Sequence, residues 1–250
     1  MPQLGKKENV IEAVYEIPFE AHATMEPMNC TAYVHDAICE VWAPTQDPQG
    51  VQFLVSSSTR IPYDKVKIHV PLLGGGFGRR LQGDYALEAA LTSQAVKAPV
   101  QVVWTRDDDL QHDFYHDMSV QYASVSRDKV SSPRVQSTGS RSIVPTGAWR
   151  SVENFPQAYS TQSFIDEMAY ELKRDPLDLR LELYSGRAAE VIKLAAEKAE
   201  WGKALPTGWG RGLAYHATFS VTHVAYVAEV SVDESGKVRV HRVVAAVDCG

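Results

Sequence analysis

Apolar and polar positions alternate over Val10 to Ile17, which predicts a strand. Ala32 to Trp42 carries a second such pattern, and Ala43 to Gly50 after it reads as a loop. Short apolar runs at Val51 to Val55 and Val66 to Val70 are strand candidates, and Val100 to Trp104 reads as a buried strand. Between them, Tyr85 to Val96 has helical composition in Ala86, Leu87, Ala89, Ala90 and Leu91, and ends near Lys97-Ala98-Pro99. Ser126 to Pro145 has no period and is rich in Ser, Arg, Pro and Gly, so a loop or joint is expected there. Beyond it, Phe164, Ile165, Met168, Ala169 and Leu172 share one face of a helix over Thr161 to Leu172. Asp175-Pro176 opens a second helix, with proline in its first turn, and Ala188 to Ala199 forms a third. Alternation returns over Leu213 to Val232 and Val238 to Val247, and Asp233-Glu234-Ser235-Gly236 between them predicts a hairpin.

These elements predict an α+β chain. Residues 1–125 form a first part of strands and one clear helix, 126–145 a joint, and 146–250 a helical segment followed by strands. The strand pattern runs on to Cys249-Gly250 without a helix, cap or polar tail. The last strand is therefore expected to present an unpaired edge, and exposed edges promote association.

One segment carries more chemistry than its pattern. Val66 to Leu73 runs into Gly74-Gly75-Gly76-Phe77-Gly78-Arg79-Arg80, and a helix-like stretch begins near Asp84. Glycine lets a backbone pass close to another object and reaches positive φ cheaply. Backbone N–H groups in such a turn, ahead of a helix, can hold an anion, and arginine forks suit phosphate. No Gly-Lys-Ser/Thr follows, so this is not a P-loop, and Gly76-Phe77-Gly78-Arg79-Arg80-Leu81 lacks the last glycine of the dinucleotide fingerprint. Taken alone, the segment reads equally as a tight strand-to-helix turn with exposed arginines.

The composition narrows the partners. The chain has 250 residues, 44% hydrophobic and 22% charged, enough to bury a core in one or two domains. Its net charge of −6 argues against nucleic acid as a partner. No apolar run is long enough to span a bilayer. Met1-Pro2-Gln3 opens a polar, lysine-bearing segment with no apolar core, so no secretory signal is present and a cytoplasmic location is expected, export of full-length relatives aside. Cys30, Cys39 and Cys249 show neither Cys-x-x-Cys nor iron–sulfur spacing and read as buried small apolar residues. Electrons leaving a cofactor held here would need an iron–sulfur relay on another chain.

A rival constellation lies in Asp107 to Asp117, where His112 and His116 are four apart, as on one helix face, with carboxylates adjacent. Such a set could bind Zn²⁺ or Mn²⁺ and support metal-dependent hydrolysis. It is not His-Glu-x-x-His, and it reads equally as a solvated acidic turn with capping aspartates. No Gly-x-Ser-x-Gly elbow of a serine hydrolase exists.

Several further motifs stand around the glycine segment in a fixed order. They are His22-Ala23-Thr24-Met25-Glu26-Pro27-Met28-Asn29-Cys30, Glu40-Val41-Trp42-Ala43-Pro44-Thr45-Gln46, Trp104-Thr105-Arg106-Asp107, Thr146-Gly147-Ala148-Trp149-Arg150-Ser151, Phe164-Ile165-Asp166-Glu167-Met168-Ala169 and Ala246-Val247-Asp248-Cys249-Gly250. Together they resemble the large, molybdopterin-binding subunit of the xanthine dehydrogenase family. The nearest branch is that of the isoquinoline 1-oxidoreductase beta subunit and similar aldehyde dehydrogenases. The resemblance covers nearly the whole chain apart from about Ser126 to Arg141. It implies a truncated molybdopterin-binding domain of that type, with an internal deletion and with the C-terminal part missing.

The resemblance also implies roles. Gly75, Gly76, Phe77, Gly78 and Arg79 would bind the cofactor, with the backbone at Gly76, Phe77 and Gly78 facing the molybdenum ligands and Arg80 in a local salt bridge. Arg150 would lie near molybdenum and orient the substrate, unless it stacks on Trp149 at a loop surface. Glu20 stands where relatives often carry glutamine, which speaks against metal contact there, and His22 is read as a hydrogen-bonded core histidine. The implied cofactor is molybdopterin cytosine dinucleotide, weakly held or not retained by a shortened chain. The implied partners are an iron–sulfur small subunit and an aldehyde or N-heterocycle, hydroxylated with oxygen from water. The family's general-base glutamate lies near the C-terminus of the full subunit, so no residue here is assigned as catalytic and none as a metal ligand. The alternative is a catalytically silent remnant or a repurposed fold.

Overall fold

The computed structural model describes residues 9–139 and 143–250. The Met1-Pro2-Gln3 segment, on which the reading of the N-terminus rests, lies outside the described residues, as do residues 140–142 of the expected joint. In chain order the elements are β1 (Val10–Ile17), β2 (Asn29–His35), β3 (Ile38–Trp42), α1 (Pro48–Thr59), β4 (Val66–His69), α2 (Asp84–Val96), β5 (Val100–Val103), α3 (Arg106–Gln111), β6 (Ser119–Ser126), β7 (Arg134–Gly139), α4 (Asn154–Leu172), α5 (Pro176–Leu183), α6 (Arg187–Lys198), β8 (Trp209–Thr218), β9 (Thr222–Val232) and β10 (Val238–Asp248). A 3₁₀ turn spans Arg79–Leu81.

These elements form two compact units that cut across the linear division expected above. One unit comprises Pro18–Met118 with the described part of Gly139–Val152. Its sheet has the order β4-β3-β2-β5, with β3 and β4 parallel and the other neighbours antiparallel. Helices α1 and α2 bring Val51, Val55, Tyr85, Ala86 and Ala89 onto Cys30, Ala32, Val41 and Val66 of the sheet. The other unit comprises the described part of Met1–Ile17 with Ser119–Thr138 and Glu153–Gly250. There β1 pairs antiparallel with β6 from Val10↔Ser126 to Ile17↔Ser119, so an early strand joins one from the middle of the chain. Helix α4 packs Phe164, Ile165 and Met168 against Ile11, Ala123 and Val125. A second sheet, ordered β10-β9-β8, places Leu213, Tyr215, Ala225 and Val227 on Val191, Ile192 and Ala195 of α6.

Several expectations needed correction, each for a local reason. Ala32 to Trp42 is not one strand: Asp36 and Ala37 both take positive φ, 44° and 60°, and this two-residue turn folds β3 back onto β2. Val51 to Val55 is helix, not strand. Asp47 caps α1 by accepting from Gly50 N–H, Pro48 occupies its first turn, and Val51, Val55 and Thr59 recur every four residues as its buried face. Leu213 to Val232 is two strands, because Phe219 and Ser220, φ 51° and 57°, reverse the chain between β8 and β9. The expected joint holds strand β7, whose polar sequence conceals an outer strand. Strand β5 is an edge with Val103 exposed rather than a buried strand. Helix α4 starts at Asn154, well before Thr161. Cys30 and Cys39 are buried as expected, with thiols pushed up by burial to about 12 and about 11, but Cys249 is exposed.

The expected strand at Val10 to Ile17, the helices at Tyr85, Asp175-Pro176 and Ala188, and the Asp233–Gly236 hairpin are all present. No described helix is long and apolar enough to cross a membrane.

Strand β10 pairs only with β9 among the described residues, and Val240, Val243 and Val247 on it are more than half exposed. A long apolar edge of this kind offers unpaired backbone groups to another chain. The chain is expected to elute from gel filtration as a concentration-dependent oligomer, and Val240→Lys is expected to shift it toward the monomer. A wild-type monomer at every concentration would count against an active edge.

Candidate functional site

The glycine segment lies between β4 and the 3₁₀ turn that precedes α2. Gly75 and Gly78 take φ of 100° and 107°, and Phe77 between them takes φ of 55°. A phenylalanine in the left-handed region is strained by about 1–2 kcal/mol, so surrounding contacts must hold it there. Those contacts are specific. Gly78 N–H donates to Gln46 Oε1 at 3.0 Å, Gly74 N–H to Glu26 Oε2 at 2.7 Å, and Arg150 N–H to Phe77 O at 2.7 Å. A Cβ on Gly78 would lie 1.7 Å from Ala148 O, so only glycine admits this approach of the two segments.

Both arginines of the loop point inward. Arg80 has no exposed surface. Its guanidinium donates to Gly75 O (2.8 Å), Pro44 O (3.2 Å), Glu26 O (2.9 Å) and Glu26 Oε2 (2.9 Å). The expected salt bridge is therefore present, but as an internal anchor rather than a surface pair. Burial works to raise Glu26, yet Gly74 N–H, the Asn29 amide and Arg80 outweigh it and hold its carboxyl below the usual value. Arg79 is 1% exposed and forks onto Asp84 Oδ1 and Oδ2 at 2.9 and 2.7 Å. Its Nε lies 3.1 Å from Asp113 Oδ1, an ion-pair contact outside hydrogen-bond geometry, and its plane packs against Trp104 and Phe114. The expected contact of Arg79 with a cofactor phosphate is corrected: its fork is already occupied by aspartate, and it supports the loop from below.

A second segment, Thr146 to Arg150, is seated against this loop. Tyr115 N–H donates to Pro145 O at 3.0 Å and Gly147 N–H to Tyr115 O at 3.1 Å. His22 bridges the interior to it. Its Nδ1 lies 2.9 Å from Asp113 Oδ1 and its Nε2 3.0 Å from Ala148 O, while its backbone N–H donates to Asp113 Oδ2 at 2.6 Å. His22 is thus a hydrogen-bonded core histidine, as expected, and it touches the carbonyl that abuts Gly78. Burial pushes Asp113 upward, but hydrogen bonds from the His22 ring and backbone and from Phe114 N–H hold it below the ordinary carboxylate value. Glu20 is exposed and exchanges backbone hydrogen bonds with His116.

What remains open is the outer side of the loop. Among the described residues, the N–H groups of Gly75, Gly76 and Phe77 make no hydrogen bond. Arg150 is exposed, and its guanidinium lies 5.1 Å from the centre of the Phe77 ring. Three neutral donors and one cation therefore share a small surface, an arrangement suited to an oxygen-rich anionic group. Glu26, Gln46, Asp84 and Asp113 hold this surface in place. For Glu26 and Gln46, closeness to proline in Glu26-Pro27 and Pro44-Thr45-Gln46 hinted at fixed backbone; Asp84 and Asp113 carry no such signal.

The acidic-histidine rival does not assemble. Helix α3 ends at Gln111, so His112 and His116 do not share a helix face. His112 Nδ1 turns to Asp108 O, and Asp108 closes the capping box of α3 with Thr105, the aspartate-capping alternative. Among the described residues no group of three or more His, Cys, Asp or Glu side chains could hold a metal ion.

Residues 3–129 match the family model described as molybdopterin cofactor-binding domain. The chain is 29% identical to a membrane-bound aldehyde dehydrogenase (pyrroloquinoline-quinone) of Gluconacetobacter polyoxogenes, over 98% of this chain and 41% of that protein. It is 28% identical to isoquinoline 1-oxidoreductase subunit beta of Brevundimonas diminuta, over 96% of this chain and 36% of that protein. The first alignment runs over 320 positions for a chain of 250 residues, so that relative carries insertions absent here. The fold is similar to quinoline 2-oxidoreductase from Pseudomonas putida 86 (TM-score 0.70, 17% identity, 94% of this chain and 40% of that one). It is equally similar to CO dehydrogenase from Oligotropha carboxidovorans (TM-score 0.71, 15% identity, 93% and 40%). The chain thus spans about two fifths of the length of the proteins it matches.

Two predictions follow from the loop's geometry. Gly78→Ala meets a backbone carbonyl at positive φ and is expected to destabilise by more than about 1–2 kcal/mol. Gly76→Ala meets only the movable end of Gln46 and is expected to cost less than about 1 kcal/mol. Thermal unfolding should give that order, and the reverse would refute the close approach. For Asp113, a depressed folded value means its contribution is full above about pH 4 and is lost as pH falls further. His22→Ala removes the support, so acid unfolding followed by circular dichroism is expected to move to higher pH.

Proposed function

Because this chain belongs to the molybdopterin cofactor-binding domain family, we propose that its glycine loop and Arg150 form part of the cofactor site of a molybdenum hydroxylase large subunit. The observation that carries this is the open outer side of the loop: the free N–H groups of Gly75, Gly76 and Phe77 beside the exposed Arg150. These residues fit the group. Neutral amides bind its oxygen-rich part without competing for coordination. When bound, the cofactor supplies the two-electron oxidation of an aldehyde or N-heterocycle carbon, with oxygen from water. Arg150, backed by the Phe77 ring, orients the substrate and stabilises negative charge developing on it. Arg79, Arg80 and His22 keep the donors from turning inward. No residue of this chain is assigned as proton acceptor.

The cytosine dinucleotide form of the cofactor and an iron–sulfur partner subunit belong to the same reading. The chain shows no iron–sulfur cysteine spacing of its own, so electrons would leave through another chain. The name of one relative specifies pyrroloquinoline-quinone. The matched domain and the anion-ready loop favour the pterin instead.

The experiment is a titration of the purified chain with isolated molybdopterin cofactor, read by quenching of Trp149 fluorescence in a variant lacking the other tryptophans. Saturable quenching is expected, weakened about tenfold by Arg150→Ala, the worth of a charged hydrogen bond. As isolated, the chain is expected to carry molybdenum and pterin well below one per chain and to show no dye-linked oxidation of benzaldehyde or isoquinoline by itself. No saturable quenching, or quenching indifferent to Arg150→Ala, would sink the site assignment.

A further inference from the structure

A cavity of about 380 Å³ lies in the other unit, between α4 and the β8–β9 pair. Alternation places Ala214, His216 and Tyr226 on the face of that pair opposite the side chains that pack on α6. Ala214 stands directly across from Tyr226, and its small side chain leaves the space beside the ring unfilled. Helix α4 contributes Tyr159, Ser163 and Asp166 to the same cavity. The Tyr159 and Tyr226 rings are each about half exposed, an unusual state for two tyrosines lining one hollow.

Two acceptors stand in this lining, beside Tyr159, Tyr226 and Ser163 hydroxyls that can donate or accept. His216 Nε2 lies 2.8 Å from Asn154 Oδ1, so that nitrogen carries the proton and Nδ1 is a bare acceptor. Burial lowers the His216 value, which keeps the ring neutral. Asp166 gives Oδ1 to the buried Arg180 at 2.7 Å, and its Oδ2 has no partner among the described residues. No lysine or arginine lines the cavity. An anion would meet the half-exposed Asp166 carboxylate, and a purely apolar guest would gain nothing from that charge or from the bare Nδ1. A cation with an apolar body satisfies both, and tyrosine faces attract it.

We propose that this cavity is a binding site for a small organic ammonium ion carrying an aromatic or aliphatic body. The site is independent of the glycine loop, and its test does not depend on cofactor. The full chain would be titrated near neutral pH with benzylammonium and, separately, with benzyl alcohol, each followed by NMR shifts of the α4 and β9 amides. Saturable shifts with benzylammonium are expected, at least about tenfold tighter than with benzyl alcohol. Asp166→Asn is expected to remove the preference. Should that variant lose its fold because Arg180 is left unpaired, Ala158→Trp fills the cavity without touching the ion pair and is expected to abolish binding. Equal affinity for the two probes, no saturation at tens of millimolar, or binding unchanged in Ala158→Trp would overturn the proposal. So would self-association that Ala158→Trp removes in the absence of amine binding, which would assign the cavity to a second copy of the chain.

Discussion

A guanidinium with no exposed surface sits beneath the glycine loop, and the candidate site depends on it. Burying the Arg80 charge is costly unless every N–H finds an acceptor and a carboxylate stands close. Glu26 supplies both its carboxylate and its carbonyl, Pro44 and Gly75 supply carbonyls, and the cost is offset. The same bonds draw Gly75 O inward, and in a planar trans peptide that turns the Gly76 N–H the other way. Orientation of that open donor is thus a consequence of satisfying a buried charge, not of any attraction to a ligand.

The second requirement is the close seating of Thr146 to Arg150 on that loop. It needs a glycine at 78, because Ala148 O occupies the place of a Cβ. It also needs something to fix that carbonyl, and His22 does so from Asp113. Phe77 is held in an unfavourable conformation by these contacts and turns its ring to Arg150. Strain of this kind persists where surrounding contacts over-determine the backbone, which happens more often at functional sites than elsewhere. In the other unit Arg180 plays a comparable part. Fully buried, it binds Gln162 and Asp166 of α4 and Pro176 O, and it locks α5 onto α4.

Much of this was legible in the chain because it depends on local chemistry. Helix α2 follows from its alanine and leucine content, α5 from Asp175-Pro176, and the last hairpin from Asp233 to Gly236. The glycine segment marks the loop by composition alone, and the order of motifs marks the family. Where reading failed, the decisive residues were ordinary ones in unusual places. Ala37 and Phe219 take left-handed conformations that their types do not announce, so two hairpins were read as single runs. Val51 and Val55 fit a strand or a helix equally until Asp47 and Pro48 are seen to cap α1.

By itself, then, the sequence determined the helices with clear caps, the glycine loop, and membership in a family whose motifs are contiguous stretches. Tertiary structure decided what contiguity cannot express. It paired Val10–Ile17 with Ser119–Ser126, turned Arg79 and Arg80 inward, and set Phe77 under Arg150. It also kept His112 and His116 apart. The reason is physical: a charge's role depends on whether acceptors surround it, and several of those acceptors, Glu26, Pro44 and Asp113 among them, come from residues tens of positions away, which no local pattern encodes.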